Sequence, residues 1–111
     1  MTPQIHPSDF EAWLASTTDA RTVIDVREGW ELQTASIKPA GFAVVHIPMN
    51  DTPQRMAELQ PDTPIAVLCH HGARSQQVAN YLVQNGFTNV SNIAGGIALW
   101  SQARDASVPQ Y

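Results

Sequence analysis

Residues 64–75 read PIAVLCHHGARS, an apolar run that passes at Cys69 into a polar loop containing Gly72 and Arg74. Pro64 to Leu68 is short, apolar and partly β-branched, the pattern of a strand buried on both faces. Ser75 to Asn85 carries Val78, Tyr81 and Leu82 at the spacing of one helix face, so that face should be buried. Gly86 stands where a left-handed C-cap belongs. Strand, glycine loop and amphipathic helix in direct succession are the β-to-α half of a parallel α/β unit.

The same alternation extends in both directions. Gln4 to His6, Thr22 to Val26, Phe42 to Ile47 and Asn89 to Ile93 read as four further strands, with Pro48 ending the third of these. Ser8 and Glu11 have the spacing of a capping box, which predicts a short helix from Asp9 to Ala15 that buries Phe10, Trp13 and Leu14. Gly29 to Ala35 predicts a helical turn or two. Pro53 to Leu59 predicts a short helix with proline in its first turn. Gly95-Gly96 turns the chain into a last helix holding Leu99 and Trp100. The expectation is one three-layer α/β domain over residues 1–111. Its five-stranded sheet is mainly parallel, with helices on both faces.

Composition narrows the class. The 111 residues are 43% hydrophobic and 14% charged, which suits a globular chain and not a disordered one. A net charge of −4 argues against nucleic acid or an anionic membrane as the main partner. No apolar run approaches the ~20 residues of a membrane helix, and MTPQIHPSDF lacks the form of a secretory signal. The single cysteine forms no internal disulfide, so a reducing cytoplasm is expected.

In open α/β sheets, ligands sit beyond the carboxyl ends of the strands. Cys69 is at such an end, just before a helix. Amides from His70, His71, Gly72, Ala73, Arg74 and Ser75 would form an anion nest there, strengthened by the helix N-terminus. Gly72 permits unusual backbone angles, and Arg74 adds a planar donor fork. Such a setting favours a thiolate nucleophile. The alternative is a small, inert core cysteine; Gly72 and Arg74 weigh against it.

CHHGARS, with VIDVRE upstream and AGGIALW downstream, resembles a single-domain rhodanese from about Ile5 to Trp100. The resemblance implies sulfur transfer in two steps. Cys69 would take a sulfane sulfur from thiosulfate or another persulfide donor and pass it to cyanide or a cellular thiol. Loop amides would hold the persulfide, and Arg74 the sulfonate of the donor. No cofactor is implied. A second possibility is a protein-to-protein sulfur relay or regulatory module with little thiosulfate activity. Phosphatases and arsenate reductases of this fold carry five residues between cysteine and arginine. Here only His70, His71, Gly72 and Ala73 intervene, and a smaller cradle suits sulfur better than phosphate.

Asp25, Arg27 and Glu31 match the acidic, basic and acidic positions of the family pattern. They are read as supporting residues, a structural network in which Arg27 pairs with Asp25 or Glu31, because buried charges need partners; the alternative places Asp25 close to the loop, orienting it. Adjacent His70 and His71 do not make a metal site, which needs wider ligand spacing; they are expected to point outward and shape the pocket mouth. Gly95-Gly96 is read as a tight turn. Trp13 and Trp100 are read as packing residues, and Trp30 as lying near the mouth. Residues 36–42, from Ser36 to Phe42, depart from the family pattern, which bears on which donor or partner docks.

Overall fold

The computed structural model describes residues 2–16 and 18–111. Five strands form one sheet: β1 (Gln4–Ile5), β2 (Thr22–Asp25), β3 (Ala43–His46), β4 (Ile65–Leu68) and β5 (Val90–Ile93). Their order is β1-β5-β4-β2-β3 and every pairing is parallel. The helices are α1 (Phe10–Ala15), α2 (Gly29–Thr34), α3 (Thr52–Arg55), α4 (Ala73–Gln84) and α5 (Gly96–Ala103). Short 3₁₀ turns precede α1 and flank α3.

β4 lies at the centre, and all four of its residues are buried. This is why its sequence shows no polar alternation: both faces are covered. Alternate side chains serve opposite layers. Ala66 and Leu68 join Phe10, Ile97 and Trp100 of α1 and α5, whereas Ile65, Val67 and Cys69 join Val78, Ala79 and Leu82 of α4. Phe10 centres the first layer, edge-on to Phe42 at 5.1 Å and to Trp100 at 4.8 Å between ring centroids. Asn85 ends α4, and Gly86 follows at φ +93°, with Phe87 N–H bonded back to the Leu82 carbonyl. That is the expected left-handed cap.

One local expectation fails. Ser8 does not cap Glu11. Pro7 starts a 3₁₀ turn over Pro7–Asp9, and His6 is its cap: the ring Nδ1 accepts the Ser8 amide at 3.1 Å. Asp9 then precedes α1 without a side-chain cap bond, and Glu11 pairs with Arg104 instead. A proline favoured at a first helical position moved the start upstream. The reciprocal capping box belongs to α2, between Glu28 and Glu31.

The register places the functional edge. Asp25 of β2 pairs with Leu68 of β4 and with His46 of β3. The connections of β2 and β4 depart toward opposite sides of the sheet, so a crevice is expected between their carboxyl ends. Among the described residues, no helix is long and apolar enough to cross a membrane.

Candidate active site

Cys69 follows β4 directly and is 1% exposed. Its sulfur accepts the Gly72 N–H at 3.0 Å. The thiol is directed to Ser75 Oγ at 3.2 Å. Ser75 is fully buried on the first turn of α4, and its hydroxyl donates to Asn92 Oδ1 on β5. The Asn92 amide group donates onward to Gln4 Oε1 at 3.0 Å and to the Gly72 carbonyl at 3.3 Å. Gly72 needs no side chain and tolerates no ordinary one. Its φ is +104°, and an added Cβ would stand 3.2 Å from the Gly95 nitrogen. Among the described residues, the loop amide on the sulfur is that of Gly72. The amides that open α4 lack intrahelical acceptors by position and add the partial positive charge of a helix start.

The loop is gripped from behind by α5. Ile97 N–H donates to the Cys69 carbonyl at 2.8 Å and Ala98 N–H to the His70 carbonyl at 3.1 Å. This approach requires Gly96: a Cβ there would lie 2.5 Å from both carbonyl oxygens. The Gly95-Gly96 pair does turn the chain, both residues having positive φ. The turn also docks a helix onto the cysteine loop.

Arg74 and Glu31 meet in a two-bond pair, with both N···O distances 2.8 Å. The Glu31 carboxylate is 4% exposed and the Arg74 side chain 33%. The Arg74 bonds hold the Glu31 carboxyl at about 2, against an ordinary 4.5, with the Glu28 amide and the Tyr111 hydroxyl assisting and burial opposing. In return the Glu31 hydrogen bonds and charge raise Arg74, against burial. Arg27, fully buried, forms its own fork with Asp25, Nε to Oδ1 at 2.9 Å and Nη2 to Oδ2 at 2.8 Å. It also donates to the Ala35 carbonyl at 2.8 Å and to the Tyr111 hydroxyl at 2.9 Å. His46 Nε2–H donates to the Arg27 carbonyl at 2.6 Å. The three charged positions fall into two ion pairs that are linked: Arg27 Nη1 donates to the Glu31 main-chain carbonyl at 3.3 Å and to the Tyr111 hydroxyl, which in turn donates to Glu31 Oε1.

The two loop histidines stack on each other, ring centroids 3.8 Å apart, but differ in exposure. His71 is exposed, as expected, but His70 is half-buried. Its ring lies flat on that of Tyr111, 4.0 Å away and within 4° of parallel, and its Nε2–H donates to the Tyr111 main-chain oxygen at 2.8 Å. Burial, then the neighbouring His71, pushes the His70 pKa down, which favours the neutral ring. Trp30, 63% exposed, stands edge-on to Tyr111 at 6.1 Å. In the divergent segment, Ile37 and Phe42 are buried in the core layer of Phe10.

Asn92 and Tyr111 escaped the reading of the sequence. Asn92 left one signal, a polar residue inside a short strand between Val90 and Ile93 that must be satisfied if enclosed. Tyr111 left none, since nothing local connects it to His70 or Glu31.

A parallel sheet ending in a cysteine loop braced by glycine turns and two arginine–carboxylate forks defines a small α/β domain with a candidate nucleophile at its carboxyl edge. The Rhodanese-like domain family matches residues 6–103, and the chain belongs to it. The chain is 35% identical over 81 residues to the thiosulfate sulfurtransferase GlpE of Vibrio cholerae, covering 73% of each protein. It is 42% identical over 95 residues to the chloroplastic Rhodanese-like/PpiC domain-containing protein 12 of Arabidopsis thaliana, spanning 84% of this chain but 31% of that protein. A crystal structure of a rhodanese-related protein from Thermoplasma volcanium superposes with a TM-score of 0.76 at 32% identity, covering 92% of this chain and 93% of that one.

Proposed function

We propose that this chain is a sulfurtransferase in which Cys69 carries the sulfur as a persulfide. The observation that carries the reading is the Gly72 N–H held 3.0 Å from the Cys69 sulfur at the mouth of α4. A donor fixed before the reaction stabilises a sulfur anion without reorganisation. In the first step the Cys69 thiolate attacks the outer sulfur of thiosulfate. A new S–S bond forms, the old one breaks, and sulfite leaves with the electron pair. Arg74 supplies the positive charge and planar donor fork that receive the sulfonate. In the second step cyanide or a cellular thiolate attacks the terminal sulfur and returns Cys69 as thiolate. The relationship to a protein named thiosulfate sulfurtransferase supports thiosulfate as the donor class.

A protein-to-protein relay is the second reading. It is favoured by the exposed Trp30, which stands edge-on to Tyr111 where that ring covers His70 of the loop, an apolar rim for a partner's surface. Intact mass after incubation with thiosulfate separates the two. A gain of one sulfur atom, absent in Cys69→Ser, is the expected result. Loading only from another protein's persulfide would replace it with the relay. Turnover of an aryl phosphate or arsenate without sulfur loading would overturn both.

A further inference from the structure

Tyr111 touches both halves of the site. Its ring lies on His70, the residue after the nucleophile. Its hydroxyl accepts from Arg27 Nη1 at 2.9 Å and donates to Glu31 Oε1 at 2.9 Å. That same carboxylate oxygen accepts Arg74 Nη2 at 2.8 Å. The segment that delivers Tyr111 is anchored just before it. Val108 is buried against the core, its carbonyl accepts the Ser101 hydroxyl at 2.6 Å, and its amide bonds to the Asp105 carbonyl at 3.1 Å. Only the exposed Pro109 and Gln110 lie between that anchor and the Tyr111 ring. The result is a short strap, fixed at one end in the core and clasped at the other over the loop.

We propose that Tyr111 is a positioning residue that clasps the site in a closed state, holding Glu31 against Arg74 through its hydroxyl and the loop through His70. Closed, the Arg74 charge is neutralised by Glu31 and Cys69 is shielded from solvent. Released, Glu31 loses one of its hydrogen bonds, the Arg74 fork becomes available to an anion, and the loop loses its cover. The donor class selected by this release is a small anion, because the group set free is a guanidinium. The inference rests on the role given above to Arg74 in donor binding, and it makes Tyr111 a determinant of how readily anions reach the sulfur.

The test compares alkylation of Cys69 by iodoacetate, an anion, and iodoacetamide, its neutral analogue of similar size. Tyr111→Phe removes the hydroxyl and keeps the ring. It should raise the iodoacetate rate about tenfold, the weight of a hydrogen bond to a charged group, with a much smaller rise for iodoacetamide. The excess should vanish when Tyr111→Phe is combined with Arg74→Ala. Tyr111→Ala should raise both rates further by uncovering His70. Equal increases for the two reagents in Tyr111→Phe, or no increase, would overturn the proposal; if Tyr111→Ala fails to fold, the phenylalanine variant decides alone. The wild-type chain is weighed after thiosulfate treatment in parallel. Charge-selective alkylation without sulfur loading would leave the clasp standing and remove the sulfurtransferase reading. Sulfur loading without charge selectivity would do the reverse.

Discussion

Arg74 and Glu31 lie 43 positions apart in the chain and meet fork to fork, each contact 2.8 Å long. The pair joins α2, which follows β2, to α4, which follows β4, across the carboxyl edge of the sheet. Its pH dependence follows from the depressed carboxyl of Glu31. A carboxyl that titrates at about 2 when folded and at 4.5 when free adds stability that is complete above 4.5 and lost as pH falls through about 2. The partly exposed arginine reduces its size by solvent screening. Urea midpoints of the wild type and Glu31→Gln should converge over that acid range. A gap that stays constant down to pH 2 would show that the pair contributes nothing.

Arg74→Ala should slow sulfur loading from thiosulfate by about tenfold or more, since an electrostatic donor to the reacting anion is removed. The far-UV spectrum should remain that of the wild type. Arg74→Lys keeps the charge but loses the fork, so it should recover only part of the rate. Wild-type rates in Arg74→Ala would remove the arginine from the reaction.

Arg27 and Asp25 are both buried, so removing one leaves the other charge uncompensated. Arg27→Met should cost about 3–5 kcal/mol, and adding Asp25→Asn should restore part of it. Denaturation of the two variants provides the measurement. A double variant no more stable than the single one would mean that the arginine acts through its other bonds, to Ala35 and Tyr111.

Gly96→Ala should destabilise by more than about 1 kcal/mol, because the position has positive φ and the new Cβ would strike two carbonyl oxygens. Gly29→Ala, in α2 with open space around it, should be neutral or stabilising by up to about 1 kcal/mol. Thermal unfolding of both variants checks the contrast. Similar melting temperatures would show that α5 does not depend on that close approach.

Much of this was legible in contiguous residues. The strand before Cys69, the helix after it and the cap at Gly86 each depend on neighbours a few positions apart. Periodicity and turn chemistry report such features directly. The Ser8–Glu11 box was equally local and still failed, because Pro7 offered a competing start two residues before Asp9. Asp25, Arg27 and Glu31 could be picked out as charges in need of partners, with Asp25 or Glu31 as the partner of Arg27, but Arg74 as the partner of Glu31 could not.

The sequence alone determined the alternating architecture, the parallel sheet and the position of the lone thiol at a strand's carboxyl end. Those properties follow from short-range sterics and from which faces are apolar. Tertiary structure alone decided that Ser75 turns to Asn92, that Glu31 takes Arg74, that Gly96 admits α5 to the loop and that Tyr111 lies on His70. Each of these contacts requires strand order, register and the path of a distant segment to be set first. A buried polar group takes whichever partner the packed fold brings within reach.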